Sequence, residues 1–369
     1  MDVMSEANRR ESAGEDIIHM EVGQPATPAP RAARERVAQA MAGENLGYTM
    51  SLGLPELRER IAAYVKQRYG VGVGPDRVIV TAGSSAGFVL AFLAILDHGD
   101  GFGLPSPGYP CYRQILKALG FRAHLIETTA EGRWMPTPAD VDALVGSDAA
   151  GLLLASPNNP TGTMATGARL KELAEACTRQ GLWLISDEIY HGLEYVVAAE
   201  TALAYSDTAI VVNSFSKYFS MTGWRVGWLI VPEVLTRTIE RLSQNLYIAP
   251  PTVSQVAALG AFDGIDELEE IKRFYARNRA LLLNELPQAG FPNILPADGA
   301  FYLYADIRHL TDDSAAFAQA MLREIGVAAT PGIDFDPERG RSYLRLSYAG
   351  AEREIREAAM RIAAWLKRR

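Results

Sequence analysis

Cysteine is almost missing from this 369-residue chain. Cys111 and Cys177 stand in no metal or redox spacing, which leaves no disulfide framework and points to a reducing cytoplasm. Long apolar runs are missing too: the longest, 88–96, is half of what a membrane span needs. The N-terminal stretch MDVMSEANRRESAGEDII is polar and helical in rhythm, with no apolar signal segment. There is no run rich in lysine and arginine, and the net charge is −8, so a nucleic-acid surface is disfavoured. His19, His98, His124 and His309 are scattered and suggest no metal site. No internal repeat, low-complexity segment or long charged tail occurs.

What is present is ordinary globular composition, 48% hydrophobic and 22% charged. The length suggests one large domain and a smaller one. A short helix over 2–14 and a strand-like piece over 16–22 open the chain. A helix then runs to about Met41, and an amphipathic helix opens at Pro55. From there apolar segments alternate with helical stretches. Strands are read over 77–81, 101–104, 122–127, 151–155, 182–186, 209–213 and 226–231, with helices over 86–96, 111–119, 141–145 and 168–180. That alternation means βαβ units and a mostly parallel sheet of about seven strands flanked by helices. After Pro232 the texture changes to long helical runs, including 266–286. Strand-like pieces follow over 300–307, near Val327 and over 342–347, with a helix over 314–325 and a last amphipathic helix. The expected plan is α/β. A large domain spans 41–275, and a smaller α+β domain is assembled from 1–40 and 276–369.

The chemistry gathers where strands end. Five segments deliver unusual polar residues to one edge of the sheet: Gly83-Ser84-Ser85, Tyr109, Asn159, Asp187 with Tyr190, and Ser214, Ser216 and Lys217 with Arg225. Open α/β sheets bind ligands at the carboxyl ends of their strands. A Gly-Ser-Ser loop that opens a helix can hold an anion on free N–H groups and the helix dipole, although serine is also an ordinary helix cap. Asp187 follows a wholly apolar strand and needs a cationic partner, either a local arginine or the protonated ring nitrogen of a pyridoxal cofactor. Lys217 is then either a loop lysine in water or a Schiff-base lysine, whose amine reacts only when neutral. In the second reading Arg225 and the serines hold the cofactor phosphate.

Seven motifs in register favour the cofactor reading. They are Gly23 with Pro25, Tyr48 in a Tyr-Thr loop, Gly108-Tyr109, Asn159 to Gly162 (NPTG), Asp187 to Tyr190 (DEIY), Ser214 to Gly227 (SFSK…GWRVG), and Arg345 to Ser347 (RLS). Together they resemble the class I/II aminotransferases, of the aspartate aminotransferase-like fold type I that binds pyridoxal 5′-phosphate. The resemblance covers nearly the whole chain. It implies that Lys217 carries the aldimine and shuttles the proton, and that Asp187 holds the pyridine nitrogen protonated. Tyr190 and Asn159 would bond the ring 3′-oxygen, and Tyr109 would stack on the ring. Ser84, Ser85, Ser214, Ser216 and Arg225 would bind phosphate, joined by Tyr48 from a neighbouring subunit. Arg345 would pair bidentately with the substrate carboxylate, helped by the Gly23 N–H and Asn159.

The resemblance thus implies a cytoplasmic homodimer that moves an amino group between an L-amino acid and a 2-oxo acid by a ping-pong route. Family members carry more residues ahead of the present first one, so part of the arm that clasps the partner is expected to be absent. Members acting on aspartate or glutamate use an extra cation, in some a lysine in the phosphate-loop segment. Ser84-Ser85-Ala86-Gly87 stands there, so the donor is expected to be apolar, aromatic or alanine. Two rivals share the fold. One is a lyase catalysing β-elimination; the other is a non-catalytic regulator, which the acidic charge and the short stretch before Gly23 disfavour. His191 could line the site or be structural, and Cys111 reads as a packed small residue. Glu188 points away from the chemistry if its segment stays extended, and Trp224 and Trp228 read as core.

Overall fold

Five strands of the central sheet form where three or more apolar residues follow one another, and their alternation decides which face each residue covers. The structure, a computed structural model, describes residues 2–43 and 45–368. It opens with α1 (Asp2–Ser12), β1 (Ile18–His19), α2 (Arg31–Gly43) and α3 (Pro55–Tyr69). The central stretch is β2 (Val78–Thr81), α4 (Ser84–Ile95), β3 (Gly101–Ser106), α5 (Pro110–Ala118), β4 (Arg122–Glu127), α6 (Pro138–Leu144) and β5 (Ala149–Ala155). It continues with α7 (Gly167–Gln180), β6 (Trp183–Asp187), β7 (Ile210–Ser214) and β8 (Gly227–Ile230). Three helices follow, α8 (Glu233–Leu246), α9 (Thr252–Ala261) and α10 (Ile265–Ala289). The chain ends with β9 (Tyr302–Asp306), α11 (Ser314–Ile325), β10 (Val327–Ala328), β11 (Thr330–Pro331), β12 (Tyr343–Ser347) and α12 (Glu352–Leu366).

Seven strands make one sheet in the order β2-β8-β7-β6-β5-β3-β4. All neighbours are parallel except β8, which runs antiparallel to both β2 and β7. The carboxyl ends of the other six strands, and the amino end of β8, therefore share one edge. Both faces are buried. Val78, Val80, Leu152, Leu154, Val211 and Trp228 pack into one cluster, and their neighbours Ile79, Leu153, Val212 and Leu229 pack into the other. Each such side chain, fully buried, stabilises the fold by roughly 1.5–3 kcal/mol relative to exposure. Trp224 differs from the expectation of a core residue: it is half-buried at the rim of the first cluster.

Two smaller sheets stand apart from this one. β1 pairs in parallel with β10, and β11-β12-β9 form an antiparallel three-stranded sheet. The strand expected over 16–22 is only two residues long. Past Met20 the chain offers its carbonyls to side chains instead of a ladder: Arg345 Nη2 and Thr330 Oγ1 both donate to the Glu21 carbonyl. Helix α2 packs along α9. Helix α1 lies against α11 through Ala7 and Leu322.

Candidate active site

The shared sheet edge opens into a cavity of about 810 Å³. Its floor comes from the ends of β3, β5, β6 and β7, and its roof from residues 21–23, β11 and the turn at Gly332–Asp334. Ser84, Ser85, Tyr109, Asn159, Asp187, Tyr190, Ser216, Lys217, Arg225, Gly23 and Arg345 all line it.

Lys217 sits three residues past the end of β7, and the part of it left accessible faces the cavity. Its ammonium donates to the Gly23 carbonyl and lies 5.7 Å from the centre of the Tyr190 ring. Burial, then the positive charges of Arg345 and Arg225, bring its pKa down to about 8, with Asp187 opposing. Among the described residues no carboxylate pairs with it. Asp187, at the end of β6, is 3% exposed. Its Oδ1 accepts the Ile189 N–H at 3.0 Å and its Oδ2 accepts the Tyr112 hydroxyl. Burial raises its pKa to about 6 against those two donors, and among the described residues it has no ion-pair partner. The local arginine that was one of its two expected partners is therefore not there.

Around the lysine the aromatic groups interlock. Tyr190 Oη lies 2.8 Å from Tyr302 Oη. A Cβ on Gly23 would collide with that Tyr302 hydroxyl, which is why residue 23 has no side chain. Glu188 turns away from the cavity: it accepts from Thr201 Oγ1 and the Ala202 N–H, both at 2.9 Å, and from Ser186 Oγ.

At one end of the cavity α4 begins at Ser84, two residues earlier than expected, with no side chain capping its first turn. Gly83, at φ +81°, brings this N-terminus against Arg225, and a Cβ there would strike the guanidinium. Arg225 itself holds φ +50°, a left-handed conformation that costs an arginine on the order of 1–2 kcal/mol. Ser216 lines this end, whereas Ser214 does not. Ser214 Oγ lies behind it, 2.9 Å from Ser216 Oγ and 3.2 Å from the Val226 carbonyl. Tyr48 is far from being enclosed: it is 85% exposed and lines a separate surface groove with Met50 and Thr252.

Toward the roof, Arg345 is buried between the rings of Tyr302 and Phe335, its guanidinium carbon 4.3 and 4.8 Å from their centres. Nη1 donates to Asn159 Oδ1 at 2.9 Å, and Nη2 donates to the Glu21 carbonyl and Thr330 Oγ1. Nε is buried with no partner.

This inventory fits pyridoxal phosphate and an amino acid. A buried carboxylate without a cation suits a protonated ring nitrogen, and a half-buried lysine with no carboxylate partner among the described residues suits Schiff-base chemistry. An uncapped helix start beside an arginine suits a phosphate. An arginine with a vacant buried Nε suits a carboxylate. Tyr112, Tyr302 and Thr330 escaped the sequence reading. A signal existed for Tyr112, in the first turn of α5 just after Tyr109, which precedes that helix. None existed for Thr330, whose role depends on a distant carbonyl.

Fold and cavity together define a pyridoxal-phosphate-dependent aminotransferase of fold type I. The chain belongs to the family "Aminotransferase class I and II", whose model matches residues 15–362. It is 46% identical to a valine–pyruvate aminotransferase of Mycobacterium tuberculosis, over 99% of this chain and 95% of that one. A solved putative aminotransferase from Silicibacter pomeroyi is 53% identical, with a TM-score of 0.94, covering 100% and 96% of the two chains. An aspartate aminotransferase from Thermus thermophilus, solved with maleate, is 31% identical with a TM-score of 0.93, over 98% and 95%.

Proposed function

We propose that this aminotransferase takes its amino group from an apolar amino acid of the valine or alanine kind, with a small 2-oxo acid such as pyruvate as acceptor. The observation that carries this reading is the charge inventory of the cavity. Its cations are Lys217, Arg225, Arg345 and Arg113, and Arg113 is already tied to the Asp334 carbonyl. Ser84-Ser85-Ala86-Gly87 stands in the phosphate-loop segment where some dicarboxylate-specific relatives would present a lysine. Val3, Met4, Val22 and Ile333 supply apolar wall instead. The relative named valine–pyruvate aminotransferase supports the same donor. A β-eliminating lyase is not favoured by a family and relatives that are aminotransferases.

The residues divide the work as follows. Arg345, with its free Nε, pairs with the substrate carboxylate, helped by the Gly23 N–H and Asn159. Pyridoxal phosphate, when bound, supplies the electron sink that makes the Cα proton acidic. Asp187 holds the ring nitrogen in its protonated form, while Tyr190 and Asn159 hydrogen-bond the ring 3′-oxygen. Tyr109 covers the ring face. Ser84, Ser85, Ser216 and Arg225 hold the phosphate, with Ser214 acting by orienting Ser216. Lys217 first anchors the cofactor and then takes and returns the proton at the substrate Cα. A pKa near 8 leaves its amine partly neutral at neutral pH.

Tyr48 reaches the phosphate of a second copy in this proposal, and its exposure, with the exposed Met50 in the same groove, suits a face covered in a homodimer. The two free thiols suit a cytoplasmic setting. The smaller domain is best drawn as the chain start through about Pro30 with 276–369. Helix α2 (Arg31–Gly43), which the expected boundary after residue 40 would divide, is assigned to the large domain because it packs on α9.

Titrating the holoenzyme with a panel of amino acids, and measuring kcat/KM for each with pyruvate, tests this. Valine or alanine is expected to exceed aspartate, with formation of the matching 2-oxo acid. Aspartate as best donor by a wide margin would overturn the reading.

A further inference from the structure

Behind the cavity, the turn after β6 holds a histidine that none of these roles uses. His191 follows Tyr190 directly and is buried. Its Nε2 lies 3.0 Å from the Ser156 carbonyl and its Nδ1 lies 2.7 Å from the Tyr69 hydroxyl. A carbonyl can only accept, so Nε2 carries the proton and Nδ1 accepts from Tyr69. Ser156 begins the short segment that delivers Asn159, and its own N–H donates to the Asp187 carbonyl at 3.2 Å. One imidazole thus ties the loop bearing Asn159 to the turn bearing Tyr190, and pins both to the end of α3.

Charged groups stand around that imidazole. Glu188 Oε2 lies 3.4 Å from Nδ1, and the Arg68–Glu194 pair stands beyond it. Burial brings the histidine down to about 4, so it is neutral at ordinary pH and its contribution is geometric. On the other side Gly192, at φ +104°, packs under the ring of Tyr218, the residue after Lys217. A Cβ there would collide with that ring.

We propose that His191 is a positioning residue, which fixes the separation of the Asn159 amide and the Tyr190 hydroxyl and so sets how strongly the two stabilise negative charge on the cofactor's ring 3′-oxygen. This rests on the roles given above to Asn159 and Tyr190. Arg345 already occupies Asn159 Oδ1, which leaves the amide N–H groups for that oxygen. A loosened pair stabilises the charge less, and the pH at which the cofactor's visible band changes then moves upward.

The test is a spectrophotometric pH titration of holoenzyme, with thermal unfolding in parallel. The variants are His191→Leu, His191→Gln and Tyr69→Phe, with Asn159→Ala and Tyr190→Phe as references. The references should raise the midpoint. His191→Leu should raise it by roughly half to one pH unit, and His191→Gln, which keeps a donor toward Ser156, should recover most of that. An unchanged midpoint with only a lower Tm overturns the inference. If His191→Leu does not fold, Tyr69→Phe carries the test: a smaller upward shift supports it and no shift overturns it. References that leave the midpoint in place overturn the roles of Asn159 and Tyr190 themselves, a failure distinct from that of His191.

Discussion

Asp187 and Glu194 are two buried carboxylates in one short stretch, 3% and 6% exposed, and they are satisfied in opposite ways. Glu194 meets Arg68 at 2.7 Å, Lys272 at 3.3 Å and the Gly192 N–H at 2.7 Å. Burial alone would raise its pKa, but these partners outweigh burial and leave it below the usual carboxylate range. Asp187 has two donors and no cation, and burial wins. The same contrast separates Arg68, which meets the Glu194 carboxylate, from Arg345, whose acceptors among the described residues are all neutral: Asn159 Oδ1, the Glu21 carbonyl and Thr330 Oγ1. Folding alone would select the first arrangement everywhere, because an unpaired buried charge is costly. The cavity therefore keeps its charges unpaired for molecules that arrive later, whereas the turn behind it spends its charges on holding that cavity in place.

The strongest attempt to break this comparison is Lys217→Ala. Transfer from valine to pyruvate should fall by at least ~10³-fold, while the Tm of the apoprotein should not fall, because an unpaired buried ammonium is removed. Activity within tenfold of the parent would refute the assignment. On the other side, Glu194→Ala should cost about 3–5 kcal/mol by leaving Arg68 unpaired, read by thermal unfolding. Glu194→Gln should cost less at neutral pH. Because the folded-state pKa of Glu194 is depressed, its ionic contribution exists above the ordinary glutamate value and fades as pH falls through the folded one. The difference between parent and Glu194→Gln should therefore close in acid.

Asp187→Asn sharpens the contrast with the opposite sign. The folded-state pKa is raised to about 6 from an ordinary 3.8, so ionising Asp187 costs the apoprotein nothing below about pH 4 and progressively more up to pH 6. The variant should stabilise the apoprotein above pH 6 by on the order of 3 kcal/mol, and it should lower transfer activity in the holoenzyme. A destabilised apoprotein at pH 7 would show that Asp187 is structural. The smallest effect belongs to Thr201→Val, which removes one of three donors to Glu188. A loss of about 1 kcal/mol with unchanged kcat/KM is expected, and a changed kcat/KM would bring Glu188 into the chemistry.

Much of this was legible in the chain, and for local reasons. β4 and α11 have the bounds read from their residues, because a β-branched or aliphatic run and an amphipathic period are written within each segment. The helix start at Pro55 follows from backbone chemistry at a single position, while α5 begins at Pro110, one residue before the start read from the sequence. The placement of Lys217, Asp187 and Asn159 at one edge follows because parallel strands end together. Less legible were β1, cut short by Arg345 from more than 300 residues away, and the place of Ser214, read as a phosphate ligand alongside Ser216, whose Oγ lies behind Ser216 rather than at the cavity wall.

By itself, then, the sequence determined the alternation that makes the seven-stranded sheet and the set of groups gathered at its edge. Those depend on neighbours a few residues apart. Only the tertiary structure decided which buried charges have partners, that Tyr112 serves Asp187, that Tyr302 excludes a side chain at residue 23, and that His191 joins two loops. Each of these is a contact between segments distant in the chain, and the energy of a buried polar group depends on what is packed against it.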